Sequence, residues 1–316
     1  MRIKSIKDLD LNNERLFLRV DFNVPIRNGK VDDDTRIREA MQTIEFAKNS
    51  GAKIILASHL GRPKGERRKE YSLKSVADYI SENFFKIGFV DDCIGEEVER
   101  KVNTLNSGEI LLLENLRFHK GEEKNDPEFV NALSRFVDVY VNDAFGTCHR
   151  KHASVYGLPL KIDKRAAGFL IEKEVKVFDK ILTDPERPFV AILGGAKISD
   201  KIGVINSLLD KIDRLFIGGA MAYTFLKFNG VKVGKSLVEE DMLNTVGDIV
   251  KKAESKGVKI YLPVDHIASE SPEGEPKAVD SANIDDNLMG LDIGIKTISL
   301  FKDGLKDAKT ILWNGP

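Results

Sequence analysis

Apolar residues in this chain gather into short runs that are hydrophobic at almost every position, and these alternate with stretches of helical period. RLFLRV (15–20), KIILAS (53–58), EILLLE (109–114) and DVYVND (138–143) are the runs of the first half. FVAILGG (189–195), RLFIGG (214–219), VKIYLPV (258–264) and KTILWNG (309–315) follow in the second. A strand apolar on every residue is one covered on both faces, as in a parallel sheet. The intervals at Thr35–Lys48, Leu73–Phe85, Glu128–Phe136 and Asp200–Leu209 supply the helical crossovers. The pattern predicts an α/β fold on open parallel sheets. In residues 168–182, Ile171, Val175, Phe178 and Leu182 are spaced four, three and four apart, on one helix face. Pro185 and Pro188 then punctuate the chain. The expected organisation is an N-terminal domain at 1–167, a connecting helix and linker at 168–187, and a C-terminal domain at 188–316.

In open α/β sheets ligands bind beyond the carboxyl ends of the strands, so the residues after each run carry the functional signal. The first run leads to Asp21 and Asn23, the second to SHLGRPKG with His59 and Arg62, and the third to Arg117 and His119. The fourth leads to His149, Arg150 and His152, and Arg36 stands at an expected helix start. A single arginine after a strand is ordinarily solvated or salt-bridged. Several on one sheet edge point to a small anion of more than one charge, because the planar fork takes phosphate or carboxylate oxygens in pairs.

The second half reads differently. Gly194 and Gly195 end a strand, with Lys197 and Lys201 around an expected helix start, and Gly218 and Gly219 repeat the strand–glycine–helix pattern. DNLMGLDIG (286–294) and the terminal WNGP add two more expected glycine turns. Such junctions free backbone N–H groups at helix N-termini, where phosphate is favoured. Lys197 and Lys201, four apart, would face one polyphosphate together if they shared a helical turn. A bound nucleotide is the reading that follows.

Composition narrows the partners. Lys plus Arg number 49 and Asp plus Glu 50, a formal net charge of −1, so no global basic bias recommends nucleic acid or a membrane surface. The N-terminal segment mixes charged and apolar residues, unlike a leader or membrane anchor. Two cysteines, Cys93 and Cys148, make no disulfide framework for 316 residues, which suits a reducing cytoplasm. GVKVGKSL (230–237) has three residues between its glycines where a Walker A loop needs four, and it follows a helical stretch, so it reads as a helix stop. No dinucleotide fingerprint follows the first strand, which argues against a dehydrogenase. Cys148 beside His149 reads as no nucleophile, and His149 with His152 lack a third metal ligand.

LRVDFNVP, ASHLGRPKG, LLLENLRFHKGE, NDAFGTCHRKHAS, GGAKISDKI, GGAMAYTFLK, GKSLVEED and WNGP together resemble phosphoglycerate kinases, in family order along the whole chain. The resemblance implies two Rossmann-like domains joined by a helix, with a ligand cleft between them. It implies a triose site for 3-phosphoglycerate or 1,3-bisphosphoglycerate at Asp21, Asn23, Arg36, His59, Arg62, Arg117 and Arg150. It implies a site for magnesium ADP or ATP at Gly195, Lys197, Lys201, Gly219, Gly290, Asn314 and Gly315, with Arg36 and Lys197 nearest the transferred phosphoryl group. Magnesium would travel with the nucleotide, domain closure would precede chemistry, and the protein would act as a cytoplasmic monomer without a nucleic-acid or membrane partner. The chain departs from the pattern at Cys148, Lys151 and Ile295, and stops at Pro316 where the family continues into an acidic, glycine-rich nucleotide loop. Weak turnover of this truncated chain is the expectation, and a non-catalytic anion- or nucleotide-binding fragment is the alternative.

Overall fold

A computed structural model describes residues 3–315, so the Pro316 that closes WNGP lies outside the described residues. The chain divides into two compact units that meet in sequence between Asp179 and Lys180.

The first unit carries strands β1 (Arg15–Arg19), β2 (Ile26–Arg27), β3 (Lys30–Val31), β4 (Lys53–Ala57), β5 (Gly88–Val90), β6 (Ile110–Leu113), β7 (Val139–Asn142) and β8 (Arg165–Ala167). Its helices are α1 (Thr35–Asn49), α2 (Lys74–Asn83), α3 (Glu96–Asn103), α4 (Lys120–Lys124), α5 (Pro127–Ser134), α6 (Leu158–Lys161) and the start of α7 (Phe169–Thr183). Six strands form a parallel sheet in the order β5-β6-β4-β1-β7-β8, while β2 and β3 make a small hairpin. Both faces of the sheet are covered, which is why β1 is apolar at consecutive positions. Leu16 and Leu18 pack with Ile37 and Ile44 of α1 and Val76 and Ile80 of α2. Phe17, from the opposite face, packs with Val98 and Val102 of α3 and Phe129 and Leu133 of α5. The N-terminal segment is tied down by the carbonyl of Lys4, which accepts from Ala167 N–H at 2.8 Å.

The second unit carries β9 (Phe189–Leu193), β10 (Arg214–Ile217), β11 (Lys259–Tyr261), β12 (His266–Ser269), β13 (Lys277–Val279), β14 (Met289–Ile293) and β15 (Thr310–Asn314). Its helices are α8 (Ile202–Leu208), α9 (Met221–Phe228), α10 (Leu243–Ser255) and α11 (Ile295–Leu305). Four strands pair in parallel in the order β11-β10-β9-β15. One face packs against Ile205, Phe225, Val246 and Ile249, and the other, through Val190 and Phe216, against Leu300, Phe301 and Leu305 of α11. A separate antiparallel sheet, β13-β12-β14, was not apparent in the hydrophobic pattern. No described helix is long and apolar enough to cross a membrane.

The expected apolar face of the 168–182 helix is only partly buried. Ile171 of α7 is 8% exposed, whereas Phe178 is 39% and Leu182 43% exposed, with Phe178 stacked on Phe145 at 5.7 Å between centroids. The N-terminus of α7 is held by Asp143, whose Oδ1 accepts the Leu170 and Ile171 N–H groups at 2.8 and 3.3 Å. Burial pushes the Asp143 carboxyl up to about 6.

Candidate functional site

In the first unit the loops after β1, β4 and β6 are fastened to one another. Phe22 N–H donates to Ser58 Oγ at 2.8 Å, and Asn23 Oδ1 accepts from Gly61 N–H at 2.8 Å. Arg117 donates through one terminal nitrogen to the Gly61 carbonyl, also at 2.8 Å. Gly61 has φ +62°, and a Cβ there would stand 2.4 Å from the Tyr71 ring, so glycine is required twice over. The buried Asn115 amide adds bonds to the Leu60 and Tyr71 carbonyls at 2.7 and 2.9 Å. The SHLGRPKG loop is thus a braced structure whose side chains are held at the sheet edge.

The cations on this edge differ in how they are held. Arg36 lies in the first turn of α1, donates to Asp21 Oδ2 at 3.0 Å and remains half exposed. Arg62 is exposed and makes no ion pair among the described residues. Arg117 is 3% exposed; Glu123 Oε1 lies 3.3 Å from its Nε, but no aligned hydrogen bond reaches that nitrogen. Arg150, half-buried, donates from Nε to His149 Nε2 at 3.3 Å. His59 is 4% exposed, and burial first, then the charges of Arg19, Arg117, Arg150 and Arg36, pushes its imidazole down to about 2. His152 falls to about 4, through burial and then Arg117. Positive charge on this edge therefore resides in guanidinium groups. His119 turns elsewhere, bonding Asp92 at 2.7 Å and stacking on Phe129.

In the second unit the ends of β9, β10 and β15 converge on glycine. Gly195 follows β9 and Gly219 follows β10 with φ +66°; a Cβ on Gly219 would lie 2.7 Å from Gly195 N and 2.8 Å from Gly195 O. Met221 N–H donates to the Gly195 carbonyl at 3.0 Å. Gly315, with φ +103°, brings its backbone against Gly194, whose N–H donates to the Asn314 carbonyl at 3.0 Å. The Lys201 ammonium donates to Asn314 Oδ1. Gly195, Gly219, Lys201, Asn314 and Gly315 thus come together as a lining of backbone and amino groups.

Two expectations about this unit need correction. Lys197 and Lys201 do not share a helical turn, because α8 begins only at Ile202 and residues 194–201 form an irregular loop. Glu239 imposes that shape: its carboxylate accepts Ile198 N–H at 2.5 Å, Ser199 N–H at 3.2 Å and the Ser199 hydroxyl at 2.6 Å. Gly290 is not in a turn but inside β14, where a Cβ would meet the Tyr223 hydroxyl at 1.9 Å. Its glycine serves close packing there. The GVKVGKSL segment does begin as a helix stop, with Gly230 at φ +78° just after α9.

The sequence reading missed the polar groups beneath the first unit's edge. Arg19, Glu122 and Ser154 are buried and bonded to one another, although nothing in spacing or composition marks them. Cys148 bonds weakly with Asn142 and the Ala144 carbonyl, and burial raises its thiol above the ordinary range.

The sequence profile described as Phosphoglycerate kinase matches residues 6–316. The phosphoglycerate kinase of Pseudothermotoga lettingae is 52% identical over 321 residues, covering 100% of this chain and 81% of that protein. That of Thermosipho africanus is 51% identical over 316 residues, covering 99% and 78%. The solved phosphoglycerate kinase of Coxiella burnetii superposes with a TM-score of 0.84 at 37% identity, covering 100% of this chain and 80% of that one. That of Pyrococcus horikoshii gives 0.80 at 28%, covering 99% and 81%. With the two parallel-sheet units and their braced loops, these relationships place the chain in the phosphoglycerate kinase family, phosphotransferases that exchange a phosphoryl group between 1,3-bisphosphoglycerate and ADP.

Proposed function

We propose that the basic edge of the first unit holds the triose and that the glycine-lined strand ends of the second hold the nucleotide, with magnesium carried on its phosphates. The observation that carries the triose assignment is the convergence of Arg36, His59, Arg62, Arg117 and Arg150 on loops braced through Asn23 and Gly61. Arginine forks there suit a ligand with a carboxyl and a phosphate at opposite ends. Gly195, Gly219 and Gly315 let backbone approach polyphosphate closely, and Lys201 with Asn314 would orient it. Gly290 acts in this reading by leaving room for the Tyr223 side chain against β14.

The chemistry is a displacement at phosphorus. An oxygen of the ADP β-phosphate attacks the acyl phosphate, the bond from phosphorus to the acyl oxygen breaks, and 3-phosphoglycerate leaves as its carboxylate. No protein nucleophile is needed; positioning and neutralisation of the transferring group are what the chain supplies. Arg36 and Lys197 are assigned that neutralisation. Asp21 holds Arg36 in place at 3.0 Å. The same reading places the protein as a monomer in a reducing cytoplasm, which fits its free Cys93 and Cys148.

Calorimetric titration with 3-phosphoglycerate and, separately, with magnesium ADP tests both assignments. Arg117→Ala should lower triose affinity at least tenfold and leave magnesium ADP affinity within about threefold. Equal loss of both ligands, or of neither, would refute the division of labour.

A further inference from the structure

A chain of polar groups runs beneath the basic edge. Arg19, the last residue of β1, is 1% exposed, and Glu122 of α4 and Ser154 are both fully buried. Glu122 accepts the Ser154 N–H at 2.9 Å and the Ser154 hydroxyl at 2.6 Å. The hydroxyl's single hydrogen is then committed, which leaves its lone pairs to accept from Arg19 Nε–H at 3.0 Å. One terminal nitrogen of Arg19 donates to the Val20 carbonyl, and the other lies 3.2 Å from His59 Nδ1. The Tyr140 hydroxyl, donating to the Ser154 carbonyl at 2.8 Å, fixes the turn that carries the serine.

A guanidinium nitrogen bears hydrogens and offers no acceptor. The imidazole nitrogen facing it must accept, so the one hydrogen of the neutral ring sits on Nε2. No described group bonds that nitrogen. We propose that Arg19, placed by Ser154 and Glu122, is a positioning residue that fixes His59 as its neutral Nε2–H tautomer, a directed donor to the oxygens of the phosphorylated acid. This deepens the triose assignment and rests on it. The charged groups around His59 are Arg19 of β1, Arg36 of α1, Arg117 after β6 and Arg150 after β7, all of which oppose a second proton on the ring. An imidazole so held gives the same hydrogen bond throughout pH 5 to 8, where a free histidine changes charge.

Long-range proton–nitrogen spectra of the chain labelled with 15N-histidine, recorded from pH 5 to 8, read the tautomer directly. The loss of one signal set in His59→Gln assigns it among the five histidines. The expected result is a hydrogen on Nε2 alone and no titration. A hydrogen on Nδ1, or on both nitrogens, overturns the role of Arg19, and this measurement needs no variant at Arg19 to fold. In Arg19→Met, burial and the three remaining arginines still keep the His59 ring neutral, but both tautomers should appear, and 3-phosphoglycerate affinity should fall at least tenfold. His59→Gln, whose amide N–H reaches the Nε2 position, should lose at least about threefold less affinity than His59→Asn or His59→Lys, each of which should lose at least about tenfold. Equal losses in all three variants overturn the directed-donor role. Absence of any 3-phosphoglycerate binding to the parent chain overturns the triose assignment and the ligand half of this proposal, whereas a wrong tautomer in the free chain overturns the Arg19 half alone.

Discussion

Gly219→Ala and Gly203→Ala make the same chemical change with opposite expected signs. At Gly219 the backbone has φ +66°, a region where a Cβ costs about 1–2 kcal/mol. The new carbon would also stand 2.7 Å from Gly195 N and 2.8 Å from Gly195 O, well inside ordinary contact. Both neighbours are backbone, so no rotamer change relieves the overlap, and the two strand-end loops must part by about 0.5 Å or more. Overpacking of this kind costs about 1–3 kcal/mol, giving a total of about 2–5 kcal/mol. Gly203 lies inside α8 with nothing within 4 Å of its Cβ position, so alanine there should stabilise by about 0.5–1 kcal/mol. Urea unfolding of both variants measures these differences. Because Gly195 and Gly219 are assigned to the nucleotide, Gly219→Ala should also weaken magnesium ADP at least tenfold while 3-phosphoglycerate affinity holds. A Gly219→Ala protein with parental stability and parental ADP affinity would refute the close-approach reasoning.

Other outcomes test the remaining assignments. Arg36→Ala should lower turnover about a hundredfold or more in a coupled ATP assay while circular dichroism stays unchanged, and a loss below about threefold would remove Arg36 from the chemistry. Arg62→Lys, which keeps the charge of an exposed group but loses the paired fork, should weaken 3-phosphoglycerate binding. Affinity for that ligand should also fall with added sodium chloride, since screened arginines attract it; a flat dependence would contradict an anion edge. Acid should destabilise the fold from pH 6.5 downward. His59 and His152 protonate near 2 and 4 when folded but near 6.5 when unfolded, so the unfolded chain gains the extra protons. Asp143, held up to about 6, acts in the opposite direction between about 6 and 4. Buried His266 acts with the two histidines and buried Glu122 with Asp143, so the balance is a net loss of stability as the pH falls through that window, and a chain more stable at pH 5 than at pH 7 by urea unfolding would contradict it.

The parallel sheets were legible because burial on both faces leaves a run such as KIILA without a polar interruption. β12, β13 and β14 were not, since HIAS, KAV and MGLDI are short, mix polar with apolar residues, and include a glycine that mimics a turn. The basic edge was legible from residues that follow strands. Its support was not: Arg19 sits inside an apolar strand, where alternation says nothing about a buried charge, and its partners lie more than 100 residues away in sequence at Glu122 and Ser154. The loop at Lys197 failed for a related reason. A spacing of four suggested helix, while a distant carboxylate, Glu239, decided the backbone.

The placing of β1 between β4 and β7 has a bearing on how the chain is made. β1 ends at Arg19, but its neighbour β7 does not begin until Val139, and β8, which ties in Lys4, comes at Arg165–Ala167. A ribosome adding about 5–20 residues per second leaves roughly 6–24 s between finishing β1 and supplying β7. Through that interval one edge of β1 is without its partner, and Phe17 waits longer than Leu16 and Leu18 for its packing groups, since Phe129 and Leu133 come only just before β7. Strand pairing over such separations is slow even once the sequence is complete. An unpaired strand edge is the surface on which partly made chains aggregate, and slowed translation ahead of residue 139 lengthens its exposure.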